Sequence, residues 1–125
     1  MKVTVEKNEK MGELVFSEIY PHYLNRIEKN GRTKEELDHV IEWFTGYEKS
    51  DLQKLMNDQV TFKTFFNKAS INQNAHLIKG VVCGYRIEEI EDKFELYRQC
   101  RQMEKLIDEL AKGRKMEKIL REEKK

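Results

Sequence analysis

The sequence predicts an all-α fold: a compact bundle of about five to seven mostly short helices, one long helix in the C-terminal half, and room for one short β element. Three observations predict it. Apolar residues recur at spacings of three and four behind residues suited to capping helices. Charged residues make up 38% of the chain, against an equal share of hydrophobic ones. A single Pro and six Gly leave few breakers. The 125 residues fit one domain spanning 1–125, and a chain of that size buries roughly two thirds of its unfolded surface, enough for a core without metals or disulfides.

Residues 1–13 combine the alternation of Val3 and Val5 with the charged run Glu6 to Lys10, and read as a loose arm or an edge strand. Ser17 is placed to cap the first helix and Pro21 to sit in its first turn. Tyr20, Tyr23, Leu24 and Ile27 form its stripe, and Asn30-Gly31 stops it. Thr33 and Glu36 form a capping box, after which Leu37, Val40, Ile41 and Phe44 line one face until Gly46. Ser50 with Gln53 repeats the capping signal for a short helix facing inward with Leu52, Leu55 and Met56. Thr61 caps the next, whose Phe62, Phe65, Phe66 and Ala69 bury an aromatic face before Ser70–Asn74 breaks the pattern.

From about Lys93, the positions Leu96, Cys100, Met103, Ile107 and Leu110 advance by four and three and mark a long helix to about 112. Its seam is too short for an extended coiled coil. The apolar phase resets at Gly113, so a break is expected there, followed by a short basic helix over 114–125 with Met116, Ile119 and Leu120 facing the domain.

Net charge is +1, which provides no global attraction for nucleic acid or acidic membrane. The charge is nonetheless uneven. Residues 86–111 carry 5 basic and 8 acidic groups, whereas 112–125 carry 7 basic and 3 acidic. Cys83 and Cys100 lack metal-ligand or redox-motif spacing, which points to a reduced, intracellular protein. No window approaches the roughly 18 apolar residues of a membrane span.

The passage Leu77 to Asp92 is where glycines, apolar density and acidic residues meet, at the junction between the short helices and the long one. Gly80 and Gly84 permit irregular backbone, Val81, Val82 and Cys83 form an apolar run suited to burial, and Lys79 and Arg86 bracket it. Several stretches carry a resemblance: Phe16-Ser17-Glu18-Ile19-Tyr20-Pro21-His22-Tyr23, Gly31 to Glu36, Trp43 to Tyr47, Ile78 to Asp92, and Leu106 to Gly113. In this order they resemble a family of small bacterial proteins designated domain of unknown function number twenty-two hundred. The resemblance covers nearly all of the chain after Lys10. It implies a small, single-domain cytoplasmic protein and brings no catalytic residue, cofactor or substrate. Members tend to place a proline after the Glu91-Asp92 pair, where this chain has Lys93, so the long helix is expected to begin differently here.

The remaining constellations are weak. Glu36-x-x-His39 has the spacing of a di-iron ligand pair but occurs once, and Glu36 is already assigned to a cap. His22 and His76 are isolated. The helix from Lys34 to Glu42 carries four carboxylates and one lysine, so it would repel phosphates and is not a DNA reader. Cys83 after two valines reads as a small buried residue; a nucleophile there would need its thiol acidified by Lys79 or Arg86. No metal site, cofactor or catalytic motif emerges. The function expected is binding: Lys79, Gly80, Gly84 and Arg86, with Arg32, Lys34 and Trp43 as neighbours, would hold a protein partner or a small anionic ligand. The alternatives are an enzyme using Cys83 as nucleophile or Glu88 or Asp92 as base, and a homodimer joined through the long helix.

Overall fold

The longest run of apolar periodicity becomes the axis of the molecule. The computed structural model describes residues 2–122. In chain order they form α1 (Val5–Glu13), α2 (Phe16–Glu28), α3 (Lys34–Thr45), α4 (Lys49–Asn57), α5 (Phe62–Asn67), β1 (Val81–Val82), β2 (Tyr85–Arg86), α6 (Glu95–Ala111) and α7 (Met116–Ile119). Single 3-10 turns lie at Ala75–Leu77, Ile87–Glu89 and Asp92–Phe94. The architecture is mostly helical, as expected, with the long helix entered through the last of these turns.

Helices α1, α2, α3, α5 and α7 and strand β1 all pack on α6. Met103, Leu106 and Leu110 are 0% exposed, and Cys100 and Ile107 scarcely more. Leu96 is only partly buried, because Phe94 and Tyr97 take the inner positions at that end. Met103, Ile107 and Leu110 of the seam are thus spent within one chain, while Leu96 keeps part of its surface open. The phenylalanines meet as their density suggested. Phe16 stacks on Phe65 at 4.1 Å, and Phe62 stacks on Phe66 at 5.7 Å. A satellite cluster of Tyr85, Ile90, Phe94 and Tyr97 lies under α1.

Helix boundaries follow tertiary hydrogen bonds as much as local signals. Residues expected as an arm or edge strand form α1 instead. The Thr4 hydroxyl caps it by accepting from the Lys7 amide at 3.2 Å, and Glu6 pairs with Lys10 one turn on at 3.0 Å. Two alternating valines are too few to define a strand. α2 begins at Phe16 rather than behind Ser17, and Pro21 lies in its interior. The cause is a clasp between two links: the Phe16 amide donates to Val60 O at 3.0 Å and the Phe62 amide to Leu14 O at 2.8 Å. α4 starts before Ser50, where the Glu48 amide donates to the Asp51 carboxylate at 2.9 Å.

The Thr33–Glu36 capping box forms as read, with amide-to-side-chain bonds of 3.0 and 3.2 Å. The break at Ser70–Asn74 has a purpose the pattern did not reveal. It closes the C-terminal end of α3: the Ser70 and Asn72 amides donate to Thr45 O and Phe44 O at 2.8 and 2.9 Å, and the Asn72 side chain donates to Trp43 O at 3.2 Å. Gly46 turns beneath this segment with φ +77°, and a Cβ there would lie 2.8 Å from Ser70 O, so only glycine fits.

The start of α6 is capped from far away. Phe94 stands at the N-cap position and has no acceptor, so Asn8 of α1 takes the Tyr97 amide at 3.0 Å. At the other end the chain breaks after Ala111, as the phase reset at Gly113 implied. Ile119 and Leu120 are buried against the domain, and Arg121 grips Glu109 with two bonds of 2.8 Å. The last three residues of the expected 114–125 segment lie outside the described residues.

Asp108 ties α6 to α2 through Arg26 and to its own last turn through Lys112 at 3.0 Å. Burial acts to raise its carboxyl, but the bond from Lys112 and the Arg26 charge outweigh it and hold the group below the usual range.

Two outcomes follow for stability. Asn8→Ala is expected to lower it by about 1 kcal/mol, the usual cost of losing a cap, read from urea unfolding. Asp108 is more acidic when folded, so it stabilises the fold above its unfolded value of about 3.9 and loses that contribution as pH falls through and below it. Melts from neutral to acidic pH should therefore decline less steeply for Asp108→Asn than for the native chain.

Candidate functional site

The passage between the short helices and α6 folds as a hairpin. Val81 pairs with Arg86 and Val82 with Tyr85, leaving Cys83-Gly84 as a two-residue turn with φ of +51° and +82°. Those signs are those of a type I′ turn, which matches strand twist but favours Asn or Gly over Cys at its first position. Strand alternation then separates the apolar run. Val82 is buried, while Val81 and Cys83 are exposed, so the burial expected for Val81 and Cys83 is corrected.

Cys83 donates to the Glu104 carboxylate at 3.3 Å. Glu104 is held in turn by Arg101 at 2.6 Å, and the Arg101 guanidinium bonds Tyr97 Oη at 2.7 Å and lies over the Tyr85 and Tyr97 rings. Burial and the Glu104 charge push the Cys83 thiol above its ordinary value. This is the reverse of what a nucleophile needs, and the hydrogen-bond partner is a carboxylate rather than His22 or His76.

The cations expected to gather at this junction are dispersed. Lys79 is exposed, and Arg86 faces Glu88 and Glu89 at 4.0 Å each. Arg32 lies at the α2–α3 turn, donating to Glu36 at 3.0 and 2.8 Å and to Arg114 O at 2.8 Å. The hydrogen bonds from Arg32 hold the Glu36 carboxyl below its usual value. Lys34 is bound to Asp38 at 2.7 Å beside Tyr20, which donates to the same carboxylate. Trp43 is half-buried against the core. Glu36 is used in its cap while His39 stays exposed, and among the described residues no group of three or more His, Cys, Asp or Glu side chains is arranged to hold a metal. No described helix is long and apolar enough to cross a membrane.

A groove of about 1350 Å³ lies on a different face. It is lined by α1, by residues 61–78 including α5, by residues 87–92 and by the first half of α6. Its floor is the α6 face carrying Glu95, Leu96, Arg98, Gln99 and Gln102. The set Lys79, Gly80, Gly84, Arg86, Arg32, Lys34 and Trp43 contributes nothing to it; Lys34 lines a second cavity of about 180 Å³ near Tyr20. Glu88, Asp92 and His76 do line the groove. Gln102 is 6% exposed, and its amide nitrogen donates to Ala75 O at 3.2 Å. Its oxygen accepts no hydrogen bond among the described residues. Gln99 touches Glu95 through its amide at 3.1 Å. A signal for these residues was present: Gln99 and Gln102 are neutral amides in a helix whose other polar positions are nearly all charged.

Residues 10–121 match the family described as "Uncharacterized protein conserved in bacteria (DUF2200)". The chain belongs to this family. The crystal structure of an uncharacterized protein, SP1917, is similar to this DUF2200 chain, with 32% identity and a TM-score of 0.84, covering 93% of this chain and 97% of that one. No curated protein matches.

The state of Cys83 is directly checkable. Its alkylation by iodoacetamide should rise with pH later than that of a free thiol, because the folded group is less acidic. Glu104→Gln should move the profile back toward lower pH. Cys100, buried on α6, should react only on unfolding. An unchanged profile in Glu104→Gln would remove the carboxylate as the cause.

Proposed function

We propose that the chain is a binding domain for a protein partner, a segment of which lies in the groove between α1, α5, the 69–78 segment and α6. The observation that carries this reading is the groove's volume, about 1350 Å³, against roughly 300–1,000 Å³ for small-molecule pockets. Its chemistry suits a polypeptide. Ile71 and Leu96, both half-buried, offer apolar contact for side chains, and Gln99 and Gln102 offer amides for a backbone. From Glu95 to Gln102 the floor rises about 10 Å, the length of three or four extended residues. The unpaired thiols of Cys83 and Cys100 support the cytoplasm as the setting.

A small anion at Lys79–Arg86 has less support, since Arg86 faces two glutamates and Arg32 and Lys34 are already paired. Catalysis by Glu88 or Asp92 has in its favour only their place on the groove wall with His76.

A photo-crosslinking residue placed in turn at Gln99, Arg86 and Lys34 in living cells separates these readings. Adducts of one defined larger mass are expected from position 99 alone. Adducts from 86 without any from 99 would move the site to the hairpin, and an adduct of twice the chain mass would replace a foreign partner by a second copy.

A further inference from the structure

The groove's charge specifies its occupant further. Five carboxylates line it, Glu9, Glu13, Glu88, Asp92 and Glu95, against Lys63 and Arg98. Most of these groups are already engaged. Asp92 holds Arg98 at 2.6 Å, Glu88 accepts from the Gly80 amide at 3.0 Å, and Glu95 accepts from Gln99 at 3.1 Å. Glu9 and Glu13 have no ion-pair or hydrogen-bond partner among the described residues. They stand one turn apart on α1, a like-charge spacing that destabilises a helix, and Glu13 is in the last turn, where the helix dipole disfavours a carboxylate. Lys63, whose Cβ lies 3.5 Å from where a Cβ on Gly12 would stand, makes no ion pair among the described residues either. Both carboxylates are exposed, and among the described residues no cation is paired with them.

The floor adds a second, independent feature. Gln102 is 6% exposed, but its carbonyl oxygen is open to solvent and accepts from no group among the described residues. A groove with exposed carboxylates on its lip and an accessible amide oxygen in its floor suits a ligand that brings positive charge and N–H groups together. We infer that the segment bound in the groove is a basic, extended stretch of polypeptide, its lysine or arginine side chains meeting Glu9 and Glu13 and a backbone amide donating to Gln102. This rests on the groove reading proposed above and names the chemistry of the partner. An acidic or phosphorylated segment would meet net repulsion on the same surface.

The test is amide chemical-shift mapping on the intact protein with peptides of about eight residues, enough to span the floor in extended form. The probes are an alternating lysine–valine peptide, its glutamate–valine counterpart, the lysine–valine peptide with N-methylated valines, and spermine. The lysine–valine peptide is expected to shift resonances of α1 and of the α6 floor and to bind more weakly as salt rises. The double variant Glu9→Gln and Glu13→Gln should weaken it about threefold, as two exposed ion pairs would. N-methylation should weaken it too, by removing the donor to Gln102.

Equal or tighter binding of the glutamate–valine peptide in the groove would overturn the basic assignment and leave the groove reading standing. Shifts confined to other surfaces, or none with any peptide, would overturn both. Equal binding after N-methylation would remove Gln102 from recognition, and spermine matching the peptide in site and affinity would replace the polypeptide by a small polycation.

Discussion

The constraint on which everything else rests is the burial of α6 on nearly all of its circumference. Tyr97, Cys100, Met103, Leu106, Ile107 and Leu110 are all buried, and five other helices and the hairpin supply the covering surface. Burying one large apolar side chain contributes roughly 1.5–3 kcal/mol, so no single covering helix could be lost cheaply. The short helices have little stability of their own, since isolated helices below about 12–15 residues are marginal in water. Their place on α6 is what keeps them helical.

Covering one axis with many short helices creates many helix ends, and these are closed by residues distant in sequence. Asn8 serves α6, Ser70 and Asn72 serve α3, and the pairing of Arg121 with Glu109 returns the tail to the axis. The groove is a by-product of two of these closures. α1 is drawn over the start of α6 by Asn8, and the 69–78 segment is drawn toward α3 by its carbonyls. The strip of α6 between them that carries Glu95, Leu96, Arg98 and Gln99 is only partly covered.

Charge follows the same division between internal and free. Arg26, Arg32, Lys34, Arg101, Arg114 and Arg121 are engaged by carboxylates inside the chain. They join elements or helix turns rather than face a ligand. The basic tail, which by composition alone suited a docking role, packs through Ile119 and Leu120 and spends Arg114 and Arg121 on Glu109.

The sequence by itself determined the helical class, the Thr33–Glu36 and Thr61 starts, the stops at Gly46 and Gly113, the phenylalanine core and the α6 seam. Each of these is written in a local run of sequence, so periodicity and capping chemistry suffice. The family was legible in the same way, from ordered local phrases. What only the tertiary structure decided involves partners far apart along the chain: that residues 5–13 are helical because they pack on α6, that α2 begins at Phe16 because two links clasp, and that Arg32 and Lys34 are occupied. The groove belongs to this second group. Its lining comes from four separate stretches, and that Glu9, Glu13 and the Gln102 oxygen have no partner among the described residues is a property of what stands near them in space, which linear spacing does not encode.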